Sequence, residues 1–211
     1  MKNILKILLR VNAKLIAFFL HRNIVRIISI IATYITSEYI AKQLKKCGKN
    51  PIIGFPITSH GLQNISIGDN FHAFARLRLE AYDEHNGHLY APEIVIGDNV
   101  GINYDCHIAC INKIIIGNNV LMGSKVLITD HFHGDTTLES LSESPNSRKL
   151  ISKGAVIIED NVWIGEGVVI MPNVTIGSNS VIGANSVVTK EIPPFCIAVG
   201  APAKPIKLGI L

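Results

Sequence analysis

The chain has 211 residues, 48% of them hydrophobic and 17% charged, with a formal net charge of +4. That apolar content can bury a sizeable core as one domain plus an appendage, and it excludes a disordered chain. The charge is split: residues 1–50 carry ten Lys and Arg against one acid, Glu38, a net of 10 − 1 = +9, so the remainder sums to 4 − 9 = −5.

The first segment, residues 1–50, is predicted to be helical, basic and amphipathic. Lys2, Lys6, Arg10 and Lys14 recur at spacing four beside Ile4, Leu5, Ile7, Leu8, Leu9 and Val11, which on a helix makes a winding basic stripe along an apolar face. A spanning helix needs about 20 apolar residues in a row, and the longest uncharged runs, Leu15 to Leu20 and Ile27 to Ser37, fall short. A cleaved signal peptide is not expected either, because Lys6, Arg10 and Lys14 break the apolar core and no small-x-small site follows. Two partners remain open for residues 1–48: an anionic membrane surface, or the protein's own body or a sister subunit. Nucleic acid is not expected, since the basic residues lie among aliphatics without an aromatic stacking platform.

From Ile65 onward the pattern changes to a repeat of six. Ile158, Ile164, Ile170, Ile176, Ile182 and Val188 fall at that spacing, and four positions after each come Val162, Val168, Val174, Ser180, Ser186 and Ile192. An earlier block has Ile96, Ile102 and Ile108, then, after a two-residue slip, Ile116, Met122 and Ile128. Alternation such as Val162 in, Trp163 out, Ile164 in is that of a short strand. The next residues turn a corner, and Gly165, Gly167, Gly177, Asn179, Gly183 and Asn185 are types that accept left-handed backbone angles there. Six residues per side predict an 18-residue triangular turn, stacked as an all-β parallel solenoid over residues 51–192 with a tail at 193–211. A helix fails, because a six-residue spacing does not hold one face of a 3.6-residue helix.

Two insertions break the repeat. One lies around Glu80 to His88; the other, at 131–154, follows Ile128-Thr129-Asp130-His131-Phe132-His133-Gly134-Asp135 and is rich in Ser. A loop of that length in a compact domain is usually functional. Among the outward positions, Trp163 and Val181 share one face and Val169 and Val187 the next, while Thr175 on the third is polar. Two apolar faces on a prism predict a homotrimer, because a three-fold ring buries two different patches of each subunit. The four cysteines, Cys47, Cys106, Cys110 and Cys196, form no Cys-x-x-Cys pair. A reducing cytoplasmic setting is therefore expected, with the leader on the inner face of the cytoplasmic membrane if it binds there.

The repeat, the run Asp160-Asn161-Val162-Trp163-Ile164-Gly165, Pro172, the stretch Val187 to Pro194 and the tail Val199-Gly200-Ala201-Pro202-Ala203-Lys204 together resemble the hexapeptide-repeat acyltransferases. The likeness covers about Ile65 to Lys207. It is closest to the maltose and galactoside O-acetyltransferases and, in its Asp-His-x-His-Gly form, to enzymes that acetylate bacterial surface polysaccharides. The resemblance implies a left-handed β-helix, a trimer, acetyl-coenzyme A as donor and a sugar hydroxyl as acceptor, in a polysaccharide or its lipid-linked precursor; the alternative is a small soluble sugar or another small hydroxyl or amino acceptor.

Transfer of an acyl group from a thioester to an alcohol needs a base and hydrogen-bond donors for the oxyanion. Histidine suits the base, and His21, His60, His72, His85, His88, His107, His131 and His133 compete. His131 stands where the family places its catalytic histidine, at the start of the projecting loop; His133 is its rival and otherwise a substrate-binding residue. The family has Pro after this histidine and this chain has Phe132. Asp130 or Asp135 is a candidate to orient the ring, and either is equally a turn residue. By the same resemblance Glu166 and Ala184, 18 residues apart, contact the pantetheine arm of coenzyme A, and Thr189, Lys190, Lys204 and Lys207 lie near its nucleotide. Trp163 either flanks the donor groove or packs at a subunit contact. Asn103 and Asp105 fall near the acceptor-contacting position. No metal is expected; a zinc hydratase reading would need three ligands of the kind His107, His131 and His133 offer, and their spacing does not match that family.

Overall fold

The computed structural model describes residues 2–19 and 22–206; His21 and Lys207 lie outside the described residues. Three faces of short parallel strands close a triangular prism, one strand per face per coil. The first face stacks Lys46–Cys47, Ile65–Ile67, Glu93–Ile96, Lys113–Ile116, Val156–Ile158 and Thr175–Ile176. The second runs Ile52–Ile53, His72–Ala73, Gly101–Ile102, Leu121–Met122, Trp163–Ile164, Val181–Ile182 and Ile197–Gly200, closed by an antiparallel strand, Ala203–Ile206. The third has Thr58–His60, Arg78–Ala81, His107–Cys110, Leu127–Thr129, Val169–Ile170 and Val187–Val188. The coil thus extends past both ends of 51–192, from Lys46 to the hairpin of the tail.

The six-residue period is the reason for the prism. Register pairs Ile67 with Ile96, Ile96 with Ile116, Ile116 with Ile158 and Ile158 with Ile176, so like side chains pile into one column inside. All are buried, and each is worth about 1.5–3 kcal/mol relative to exposure. Ser180 and Ser186 sit in the same interior, and their hydroxyls are used at the end of the coil: Ser180 donates to the Pro193 carbonyl at 2.9 Å and Ser186 accepts from the Gly200 N–H at 3.0 Å.

The corners differ from the sequence expectation in their glycines. Gly167, Asn179 and Asn185 have positive φ, as expected, whereas Gly165, Gly177 and Gly183 do not. These three are small because the neighbouring coil is close: a Cβ on Gly165 would stand 2.6 Å from the Ala184 nitrogen, and one on Gly177 2.4 Å from that of Pro194. The first corner, between the first and second faces, carries a ladder of left-handed asparagines, Asn50, Asn70, Asn99, Asn119, Asn161 and Asn179. Each amide donates to the next at 2.9–3.2 Å.

Helices α1 (Lys2–Phe19) and α2 (Arg22–Ala41) precede the coil. The end of α2 is part of the core: Ile40 is buried in it, and the Ser37 hydroxyl donates to the Thr33 carbonyl and accepts the Ile53 N–H, both at 2.8 Å. This closes the first coil, which otherwise would present unpaired strand edges. The expectation that no segment is long enough to span fails for α2. Despite Arg26 and Glu38, its stretch Ile24–Ala41 is long and apolar enough, by length and composition, to cross a membrane. Most of its large side chains, such as Ile28, Ile31 and Ile35, are exposed. The outward first face is also more apolar than Thr175 suggested, since Val95, Ile115 and Ile157 precede it in register.

Candidate active site

Both insertions leave the third corner, where the third face turns back to the first. The longer one is an ordered arm. Strands His131–His133 and Leu150–Ser152 pair antiparallel, and the short helix α3 (Leu138–Ser142) is capped by the Thr137 hydroxyl. Asp135 belongs to that cap, accepting from the Thr137 N–H at 2.9 Å and hydroxyl at 2.6 Å. The shorter one is the hairpin Glu84–His85 and His88–Leu89, and it packs on the arm. Asn86 donates to the Asn146 carbonyl at 2.7 Å, the Leu150 N–H donates to the Tyr90 hydroxyl at 3.0 Å, and the His85 and His133 rings meet edge to face at 5.7 Å.

At the root of the arm Asp130 turns inward and is fully buried. The two-residue slip in the repeat explains why a carboxylate is there. Between Ile108 and Ile114 the corner is longer by two, so the N–H groups of Ile111, Asn112 and Lys113 find no place in the regular ladder. Asp130 accepts all three, at 2.9, 2.8 and 2.8 Å, and the Cys110 thiol at 3.2 Å. Burial pushes the Asp130 carboxyl up, but the hydrogen bonds from His131, Ile111, Asn112 and Cys110 outweigh it and hold the group below the usual carboxylate range. Burial and the nearby Asp130 charge push the Cys110 thiol far up, so it stays a donor.

The last partner of Asp130 is His131, whose Nδ1 lies 2.9 Å from Oδ1, with the Thr129 hydroxyl at 3.3 Å. An acceptor-only carboxylate places the proton on Nδ1, leaving the lone pair on Nε2. The ring is 8% exposed. It is held in one tautomer with its basic nitrogen free, the state a general base requires.

Of the other described histidines, His107 is engaged through its Nε2, 2.9 Å from Glu80 Oε2. Burial and the Arg78 charge lower its pKa, so it is neutral at neutral pH. Glu80 is itself buried and joined by Arg78 at 2.9 Å. Burial raises its pKa, while Tyr82, Arg78 and His107 together bring it below the ordinary value. His60 stacks on Tyr82 at 5.1 Å, and His72 meets Phe74 at 4.6 Å with the rings tilted by 41°. Among the described residues no group of three His, Cys, Asp or Glu converges to hold a metal.

The remaining predicted residues lie on other parts of the prism. Glu166 and Ala184 stack at the second corner, where the Asn185 N–H donates to the Glu166 carbonyl at 2.8 Å; Lys125 lies 3.6 Å from the Glu166 carboxylate. Lys204 pairs with Val199, whose Cγ1 is 2.7 Å from where a Gly183 Cβ would be, so it sits on the end of that same corner. Thr189 and Lys190 are exposed at the last third corner, one face away. Trp163 is 55% exposed on the second face, in register with Leu121 and Val181. Asn103 and Asp105 are second-corner residues below Glu166 and Ala184: Asn103 donates to the Met122 carbonyl at 2.9 Å, and Asp105, with φ 61°, accepts from Arg76 at 2.8 Å. Within one chain, His131 and the Glu166–Ala184 corner are therefore separated by the third face. The Asp130 cradle was missed as a unit; the two-residue slip, followed by an Asp at the end of the next coil's strand, is the signal that marks it.

Comparison with known proteins adds what geometry cannot. The bacterial transferase hexapeptide family model, of six repeats, matches residues 155–190. A protein of Escherichia coli named for lipopolysaccharide biosynthesis O-acetyl transfer, WbbJ, is 39% identical over 159 residues, which cover 74% of this chain and 78% of that one. Galactoside O-acetyltransferases of Lactococcus lactis and E. coli are also 39% identical; the chain spans about half their length, 48% and 55%. Among solved structures, a maltose O-acetyltransferase from Clostridium difficile superposes with a TM-score of 0.53 at 33% identity, covering 81% of this chain and 72% of that one. A galactoside acetyltransferase in complex with coenzyme A gives 0.53 at 32%, covering 81% and 68%.

Proposed function

Because the chain belongs to the hexapeptide-repeat acyltransferase family and shares its left-handed parallel β-helix, we propose that it is an acetyl-coenzyme A-dependent O-acetyltransferase acting on a sugar hydroxyl of a bacterial surface polysaccharide or its lipid-linked precursor. The observation that carries the reading is the Asp130–His131 pair at the root of the arm. His131 Nε2 removes the hydroxyl proton as the oxygen attacks the thioester carbonyl. The tetrahedral intermediate then collapses, the C–S bond breaks, and the imidazolium returns the proton to the departing coenzyme A thiolate. Asp130 stays ionised throughout and stabilises the imidazolium.

Glu166 and Ala184 offer backbone groups for the pantetheine arm, and Lys204 a cation for the phosphates on the same corner. Trp163 flanks that corner on the second face, and Thr189 and Lys190, one face away in the same subunit, are assigned to the nucleotide end of the donor. Because the base and this corner are a face apart in one subunit, we place the reaction between subunits of a homotrimer. The apolar outward residues, including Trp163 and Leu121, are what such a ring would bury. Asn103, Asp105 and His133 are assigned to the acceptor side. The exposed apolar surface of α2 together with the +9 charge of residues 1–50 supports seating on the anionic inner face of the cytoplasmic membrane. Ile28→Lys with Ile35→Lys should release the protein from the membrane fraction while leaving the Ser37 and Ile40 contacts intact.

The test of the reaction is release of free thiol from acetyl-coenzyme A in the presence of polysaccharide precursors. His131→Ala should lower kcat by at least about 100-fold, the scale of general-base catalysis, with far less effect from His133→Ala. Normal turnover by His131→Ala sinks the base assignment.

A further inference from the structure

The second corner continues below the donor pair into a feature that acetyl transfer by His131 does not use. The Gly167 N–H donates to the Ser124 carbonyl at 2.9 Å and the Lys125 N–H to the Tyr104 carbonyl at 2.9 Å. Tyr104, Ser124, Glu166 and Ala184 therefore occupy one column on successive coils. With coils about 4.8 Å apart, Tyr104 lies two coils, about 10 Å, from Glu166. Around Tyr104 the aromatic residues gather. Its ring stacks on Phe74 at 4.8 Å with planes 28° apart, and Phe74 in turn meets His72 at 4.6 Å. The Arg76 guanidinium stands 5.5 Å from the Tyr104 ring centre, anchored by two hydrogen bonds to Asp105. Those bonds hold the Asp105 carboxyl below its usual range and raise the Arg76 pKa, so the clamp is ionic at every physiological pH.

These rings are not core. Phe74 is 37% and Tyr104 42% exposed, and with Phe55 they face a cleft of about 290 Å3 between the coil and α2. That is near the lower end of small-molecule sites, roughly 300–1,000 Å3. Beside these rings the lining includes Ile52 and two alanines, and its polar members are Ser29 and Thr33 of α2 and His72. Exposed aromatic rings with hydroxyl and imidazole groups beside them match a pyranose ring, which presents C–H groups on its face and hydroxyls around its perimeter.

We infer that this cleft is a binding subsite for a pyranose ring of the acceptor glycan, with Tyr104 and Phe74 as its stacking platform. The inference rests on the acetyl-transfer reading and deepens it by giving the acceptor a location on the donor's own corner. The order along that corner is then donor at the Lys204 end, sugar at Tyr104, and the apolar helix α2 beyond, the order a glycan carried on a membrane lipid needs. Asp105, expected to touch the acceptor, serves it through Arg76 as a positioning residue.

Saturation-transfer NMR on the full-length protein in detergent, with methyl α-D-glucopyranoside, galactopyranoside, mannopyranoside and α-L-rhamnopyranoside and no acetyl-coenzyme A, tests the inference. At least one glycoside should show transfer to its ring C–H protons. The signal should fall at least fivefold in Tyr104→Ala and Phe74→Ala and persist in Tyr104→Phe, which keeps the ring. With the responding glycoside as acceptor, Tyr104→Ala should raise KM at least tenfold and leave kcat within twofold. No transfer to any glycoside, a signal that survives both alanine variants, or transfer at Tyr104 only from detergent acyl protons overturns the subsite. Acetyl-coenzyme A binding is measured separately: if the wild-type protein does not bind it, the proposed reaction fails, whatever the glycosides show.

Discussion

At the first corner a side-chain oxygen on each coil accepts a backbone N–H from the coil before it: Lys49 gives to Asp69, Asp69 to Asp98, Asp98 to Asn118 and Asn118 to Asp160, all at 2.7–2.8 Å. The third corner uses the same device in the same direction, with Asp130 accepting from Ile111, Asn112 and Lys113 of the preceding coil. The outcomes differ because of burial. At the first corner each oxygen takes one backbone N–H at the surface, and the result is a straight, closed edge. At the third, the two-residue slip supplies three donors at once, and the carboxylate that gathers them is out of water. It remains charged because of those bonds, and its fifth donor is the imidazole of the next residue. In the proposed reaction, a repair of backbone geometry becomes the support of the base. Irregularity in a repeat protein is in this sense where chemistry can be housed, while regularity supplies the rigidity that holds it.

Removing the shared device should cost far more at the third corner than at the first. Asp130→Ala leaves the N–H groups of Ile111, Asn112 and Lys113 and the His131 Nδ1 without their acceptor. At about 1–3 kcal/mol for each unsatisfied group, the loss by urea denaturation should be about 3 kcal/mol or more, and thiol release should fall with it. Asp98→Ala, at the surface, should cost much less and leave kcat unchanged; equal losses would break the comparison. The charge can be isolated by pH. The folded-state pKa of Asp130 is depressed, so its contribution is present above the unfolded value of about 4 and is lost as pH falls through the lower folded value. Asp130→Asn should therefore be less stable at neutral pH and show a flatter decline below about pH 4 than the wild type.

Much of this was legible from residue types and spacing, because a solenoid writes its period directly into the chain. Ile158, Ile164 and Ile170 announce their burial and their faces, and Trp163 its exposure. Interruption could be seen as well, and with it His131. What spacing could not supply was partnership across coils. The role of Asp130 depends on N–H groups about 18 residues away, and Glu80 beside His107 depends on a register shifted by the first insertion. The corner glycines misled for a related reason: Gly165 and Gly177 look like left-handed residues but are excluded-volume residues, and only the next coil reveals it. The first face looked polar because Thr175 was the single outward position sampled.

The proposed donor corner offers a smaller contrast, between two lysines that the tail alone does not separate. Lys204 stands on the end of the Glu166–Ala184 column and Lys190 one face away. Lys204→Ala should weaken acetyl-coenzyme A binding about tenfold, as expected for loss of one charge-assisted phosphate contact, and Lys190→Ala by less. The reverse order, measured by titration calorimetry, would move the nucleotide to the third corner and bring the donor of one subunit to the arm of that same subunit.

The mildest change tests whether the first corner is structural only. Asn161 has φ 59° and bridges Asn119 at 3.1 Å and Asn179 at 3.2 Å. Asn161→Ala places a Cβ-bearing residue without a local hydrogen bond in the left-handed region, at a cost of about 1 kcal/mol. Asn161→Gly removes the same two side-chain bonds but accepts the backbone angle freely. The difference between the two variants therefore reads the backbone term, and the shortfall of the glycine variant from wild type reads the ladder. Both should keep the wild-type kcat and KM. Should either alter kcat while the fold is intact, the first corner would no longer be inert, and the division between a closed corner and a reactive one would have to be redrawn.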